Sequence, residues 1–154
     1  MKLTLHTDYA LRMLMFLAVQ DEGPVTVSDV AKAYRLSRNH LLKVALNLGR
    51  LGYVATTRGR SGGIALALPP ENINIGDVVR GMEDGLALVE CLRPEGGACV
   101  ISPVCRLKNV MRQATAAFLS VFDTYTLADL SQNASELAAI LEKIAPARNT
   151  AAVL

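Results

Sequence analysis

Cys91, Cys99 and Cys105 are the only cysteines of the chain, and all three fall within one fifteen-residue window. Seven residues separate the first pair and five the second. Pro94, Gly96, Gly97 and Pro103 lie among them, so the window is too irregular for the interior of a helix or strand. Structural cysteines usually scatter through a core as small hydrophobes. Cysteines gathered on one Gly/Pro-rich loop have the placement of ligands or redox partners. The spacing is neither a C-x-x-C redox motif nor the paired spacing of a zinc finger. It suits a loop wrapped around something larger than one ion. Thiolates favour zinc, copper(I) and iron–sulfur clusters, and such sites normally take four ligands. Three thiolates leave one position to another part of the chain or to a second chain. Zinc held by three cysteines and one further donor, or a disulfide beside a free thiol, would use the same residues.

A second set of residues carries charge. The 154-residue chain has a net charge of only +2. From Val30 to Pro70 there is no Asp or Glu, while Lys32, Arg35, Arg38, Lys43, Arg50, Arg58 and Arg60 fall in that stretch. Residues 1–68 hold nine Lys/Arg against four acids, and residues 69–154 hold seven against ten. Ordinary surfaces intersperse both signs, so a basic first half on a near-neutral protein reads as a footprint for a polyanion.

The elements that must position these groups follow from periodicity. Thr7 or Asp8 caps a helix running to about Gln20, with Leu11, Leu14, Met15 and Ala18 on one stripe. Val25–Val27 is short and extended. Ser28 caps a second helix and Ser37 a third, Arg38 to about Leu51, with a turn at Arg35-Leu36 between them. Two short helices joined by a tight turn make a helix-turn-helix. The period then changes. Tyr53–Thr56 and Ile64–Leu68 are strand-like, and Arg58–Gly63 is a basic, glycine-rich turn, which together predict a hairpin. Helix-turn-helix followed by hairpin is a winged helix. Asn74 caps a helix from Ile75 to about Glu83. A long helix from Arg106 to about Tyr125 carries Leu107, Met111, Ala114, Phe118, Val121 and Tyr125 in a heptad-like stripe, suited to a second copy of the same helix or to an intramolecular core. Thr126–Asp129 starts a short helix with a capping-box pattern, and Ser135 to about Ile144 forms a last one.

The expected fold is mainly α with a small β-hairpin wing. Residues 1–70 form a winged helix-turn-helix DNA-binding domain, and 71–105 a connecting helix and cysteine loop. Residues 106–145 form the dimerisation helix and C-terminal helices, and 146–154 a flexible tail. In such a fold the first turns of the second helix of the helix-turn-helix enter the major groove. Arg38, Asn39, His40 and Lys43 occupy those turns; Arg suits guanine and Asn suits adenine. The Ser37 hydroxyl and the free helix N–H groups suit phosphate. Arg58, Arg60 and Ser61 sit at the wing tip, where arginine fits a minor groove. His40 is read as a DNA contact, and His6 as an exposed residue near the N-terminus.

Composition excludes several classes. No apolar run approaches the ~20 residues of a membrane-spanning helix, and Met13–Val19 reads as a core helix rather than a signal segment. An odd cysteine count without such a segment points to a reducing, cytoplasmic setting. No nucleotide-binding glycine motif, nucleophile–base pair or acid pair marks an enzyme, and an iron–sulfur electron carrier would leave the basic wing unexplained. A zinc-stabilised adaptor remains a further use of the thiols.

Taken together, Leu3-Thr4, Asp8-Tyr9-Ala10-Leu11-Arg12, Ser37-Arg38-Asn39-His40, the wing Arg58–Ile64, Ile75–Arg80 and the three cysteines resemble the Rrf-two family of bacterial winged-helix regulators over about residues 1–130. Leu88–Cys91, Cys105–Lys108 and Tyr125–Leu130 resemble its nitric-oxide-sensing repressors most. The resemblance implies a homodimer that binds a palindromic operator in double-stranded promoter DNA. It implies an iron–sulfur cluster, 4Fe-4S, on Cys91, Cys99 and Cys105, with Asp8 of the partner subunit as fourth ligand and Arg12 coupling Asp8 to the rest of the protein. Nitrosylation of that cluster would release the DNA. On residue types alone, Asp8 is a plain helix cap. A 2Fe-2S cluster fits less well, because Lys108 stands where that branch of the family carries a histidine. The iron-responsive branch has similar cysteine spacing, so cellular iron or thiol oxidation is the alternative signal.

Overall fold

The computed structural model describes residues 2–20, 23–59 and 62–144. Helix α1 (Leu5–Ala18) is followed by α2 (Val27–Tyr34) and α3 (Arg38–Arg50). Strands β1 (Val54–Thr57) and β2 (Gly63–Leu66) pair antiparallel, with Val54 opposite Leu66 and Thr57 opposite Gly63. Helices α4 (Ile75–Met82), α5 (Arg106–Asp123), α6 (Leu127–Leu130) and α7 (Ala134–Ile144) complete the chain. This is the expected winged helix with a long helix appended.

Two helix starts differ from expectation. Helix α1 is capped by Thr4, whose hydroxyl accepts from the Thr7 N–H, and not by Thr7 or Asp8. Thr7 is fully buried, and Asp8 lies inside the first turn. Helix α2 is capped by Thr26 in a reciprocal capping box with Asp29, and not by Ser28. Helix α2 ends at Arg35 in the left-handed region, φ 54°. The Arg35 N–H donates to the Lys32 carbonyl and the Leu36 N–H to the Ala31 carbonyl, a Schellman ending with arginine where glycine is usual.

One hydrophobic core holds α1 to α4 and the hairpin together. Met13, Leu14, Val30, Leu41, Val44, Leu48, Ile75, Val78 and Val79 are fully or almost fully buried. Thus the apolar run in α1 is core. Leu127 of α6 and Leu141 of α7 join the same cluster, so the C-terminal helices fold back onto the first half, α7 against α2. The hairpin is stitched in as well: Val25 and Ile64 exchange both backbone hydrogen bonds, at 3.0 and 2.7 Å. That contact needs a glycine beside it, since a Cβ at Gly63 would lie 2.5 Å from the Val25 carbonyl oxygen. At the wing tip, Gly59 has φ 117°, a conformation that other residues rarely adopt.

Candidate nucleic-acid interface and thiol loop

Helix α3 is buried on one side only. Leu41, Val44 and Leu48 seat it in the core, spaced three and four residues apart. Ser37, Arg38, Asn39, His40 and Lys43 are exposed at its open end. Ser37 occupies the N-cap position and is exposed, but its side chain makes no cap bond, so the first N–H groups of α3 have no side-chain cap. Arg38 is oriented: its Nε donates to the Ser28 hydroxyl of α2 at 2.9 Å. Arg58 is exposed at the end of the wing. Arg60 and Ser61 lie outside the described residues. Arg35 and Lys32 on α2 and Arg50 on α3 are also exposed, and no acid interrupts the sequence that carries this surface.

The thiol loop leads into α5, and its first turn packs against that helix. Cys91 sits in a 3-10 turn, Glu90–Leu92. Cys99 precedes another, Ser102–Val104, and its carbonyl accepts from the Ser102 N–H. Cys105 is the N-cap residue of α5. All three are free thiols and half-buried. Lys108 does not point into a thiol cluster; its amine donates to the Ser102 hydroxyl at 3.1 Å and ties the last turn to α5. Val100, Ile101 and Val104, beside these cysteines, are exposed, Val100 by 92%. Among the described residues, no three Cys, His, Asp or Glu side chains converge closely enough to hold a metal ion. The donor set still fits a thiolate-held cluster in kind, being three uncommitted soft ligands on one short loop. To hold such a group the loop would have to close around it, as in metal binding coupled to local folding.

Asp8 stands apart from this loop, on α1. Its carboxylate is paired with Arg12 one turn on, at 2.8 Å, and both side chains are more than a third exposed. Such a pair holds about 0.3–0.5 kcal/mol, so it is cheaply exchanged for another partner. His6 departs from expectation: it is half-buried, and its Nε2 lies 2.9 Å from Nδ2 of Asn47 on α3. Sequence reading missed this link because 41 residues separate its ends. Thr4, the cap of α1, donates through its N–H and hydroxyl to Glu83 at the end of α4, at 2.8 and 3.1 Å. The first turn of α1 is thus tied to α3 on one side and α4 on the other.

Helix α4 is in turn clamped to the end of α5. Arg80 meets Asp123 in a bidentate pair with both contacts at 2.7 Å, and Asn74 donates to the Asp123 carbonyl. The hydrogen bonds that Arg80 donates hold the Asp123 carboxyl below its ordinary range, and the same bonds push Arg80 up. Helix α5 has no fully buried residue, and Leu107, Val110, Val121 and Tyr125 are all about half exposed or more.

Comparison with known proteins agrees with this geometry. The family model Rrf2, described as an iron-dependent transcriptional regulator, matches residues 3–133. The HTH-type transcriptional regulator NsrR of Bacillus subtilis (strain 168) is 50% identical over 143 residues, spanning 92% of this chain and 98% of the relative. NsrR of Geobacillus kaustophilus is 49% identical, spanning 93% and 98%. Among solved structures, CymR, the global cysteine regulator of B. subtilis, superposes with a TM-score of 0.67 at 27% identity, covering 86% of this chain and 98% of its own. T. potens IscR superposes with a TM-score of 0.69 at 27% identity, covering 88% and 90%.

Proposed function

This chain belongs to the Rrf2 family, a family of transcriptional regulators and not of enzymes, and from that premise we propose that it is a homodimeric repressor whose iron–sulfur cluster senses nitric oxide. The observation that carries the reading is the pairing of a winged helix with a loop of three free thiols, in a chain half identical to NsrR regulators along nearly its whole length. Cys91, Cys99 and Cys105 hold the cluster, with Asp8 of a second copy completing it. When bound, the cluster supplies iron that combines with nitric oxide. Everything else is done by the chain itself. Asp8 would leave Arg12 to serve as ligand on the partner subunit's loop, and since a carboxylate is a weaker ligand to iron than a thiolate it would be the ligand most readily given up. Whether Asp8 is engaged sets how α1 sits. Helix α1 is joined to α3 through His6–Asn47 and the shared core. Two copies of α3 must match half-sites roughly 34 Å apart, so a small rotation of each removes several contacts at once. Ser37, Asn39, His40 and Lys43 contact the operator with Arg38, and Arg58, Arg60 and Ser61 extend the grip along the wing.

The test is purification without oxygen followed by nitric oxide titration, with visible absorbance and binding to promoter duplex followed together. Loss of thiolate-to-iron absorbance in step with DNA release supports the reading. A cluster indifferent to nitric oxide but removed by iron chelation, with loss of DNA binding, makes the signal iron supply instead. A colourless zinc protein that binds DNA overturns the sensing mechanism.

A further inference from the structure

Because α2 has its N-cap at Thr26, the Ser28 hydroxyl is left free of a capping role. Thr26 caps α2 and forms the full capping box with Asp29, so the helix does not need the Ser28 hydroxyl for its own start. Ser28, half-buried in the first turn of α2, instead accepts the Nε hydrogen of Arg38, the first residue of α3. The bond spans the turn of the helix-turn-helix, from the supporting helix to the end of the helix proposed to meet DNA.

Its chemistry is selective. A guanidinium has five N–H donors in one plane. Tying Nε fixes that plane, and among the described residues nothing engages the two terminal nitrogens of Arg38. A free arginine at an exposed helix start samples many rotamers and loses that freedom when it binds a base. An arginine already held at Nε by a half-buried neighbour loses less, and it presents its remaining fork in one orientation. Bidentate pairing with O6 and N7 of guanine is a demand on orientation of this kind.

We propose that Ser28 is a positioning residue for sequence reading: it holds the Arg38 guanidinium so that its terminal nitrogens select one base pair, a guanine, in the operator. The proposal rests on the reading of α3 as the recognition helix. Ser28 touches no base in this account and acts only through Arg38.

The experiment uses the full-length protein, purified without oxygen, and duplexes that the unmodified protein itself selects from a random pool. Each base pair of a selected duplex is then changed singly, and relative affinities are measured for Ser28→Ala, Ser28→Thr, Arg38→Ala and Ser28→Ala/Arg38→Ala. The unmodified protein should prefer guanine at one position of each half-site by about tenfold or more. Arg38→Ala should flatten that preference and leave other positions unchanged. Ser28→Ala should lose much of the same preference at the same position, Ser28→Thr should keep it, and the double variant should match Arg38→Ala alone. Unfolding midpoints of the Ser28 variants should stay near that of the parent. Full preference retained in Ser28→Ala, losses that add in the double variant, or weakening uniform over all duplexes with a lowered midpoint would each overturn the positioning role. Selection of no sequence at all by the unmodified protein would remove the recognition-helix reading, and the positioning role with it.

Discussion

Thr4 and Asp8 are four residues apart and carry different energies. Thr4 satisfies an otherwise open helix N–H and anchors Glu83, whereas Asp8 has only an exposed ion pair with Arg12. Thr4→Ala should therefore destabilise the cluster-free protein by about 1 kcal/mol, and Asp8→Ala by no more than about 0.5 kcal/mol, both read from urea unfolding. An Asp8 that contributes little to folding is free to serve as a ligand. Arg35 shows the converse. It holds a left-handed conformation in which a side chain costs on the order of 1 kcal/mol relative to glycine. Arg35→Gly should raise unfolding stability by about that amount and lower affinity for duplex DNA, as titration at fixed salt would show. A gain in affinity would mean that this charge lies away from the DNA.

Most helices and the hairpin could be read in advance, because their signals are local. The change of period after Gly52, the glycines of the wing and the Thr126–Asp129 capping box each lie within a few residues of what they determine. The starts of α1 and α2 could not. Thr4 and Thr7, like Thr26 and Ser28, are each chemically able to cap. The choice falls to long-range contacts: Thr7 is taken into the core, while Thr4 meets Glu83, 79 residues away. The same limit hid His6–Asn47 and Ser28–Arg38. It also hid the clamp of α4 on α5, which has its own pH dependence. The Asp123 carboxyl is depressed in the folded state by Arg80. Its stabilising effect is therefore present above the unfolded carboxylate value of about 3.9, and it disappears as pH falls through the lower folded value. Asp123→Asn should melt below the parent near neutrality, and the two midpoints should converge as the medium is made strongly acidic. Parallel midpoints over the whole range would mean that the clamp contributes nothing to folding.

At the scale of the whole protein, one face of α5 stands out among the described residues as apolar and exposed. An 18-residue helix with no fully buried residue, with Leu107 and Val121 exposed along one stripe and Tyr125 exposed just past its end, fits the proposed dimer interface. If the proposed dimer is joined there, Val121→Glu should give a monomer in sedimentation while leaving the helical circular dichroism unchanged, and should weaken operator binding at least tenfold by removing the second half-site contact. A dimer that survives the charge would place the seam elsewhere.

The stitch between Val25 and Ile64 has a bearing on how the proposed pair of subunits would answer a signal. Because backbone hydrogen bonds fasten the wing to the segment that leads into α2, the wing cannot flap while the helix-turn-helix stays still. Each subunit grips like a closed hand rather than like separate fingers. What a signal can alter is the distance and angle between two such hands, so binding is expected to fail along the entire footprint at once rather than fading first at the grooves touched by the wings.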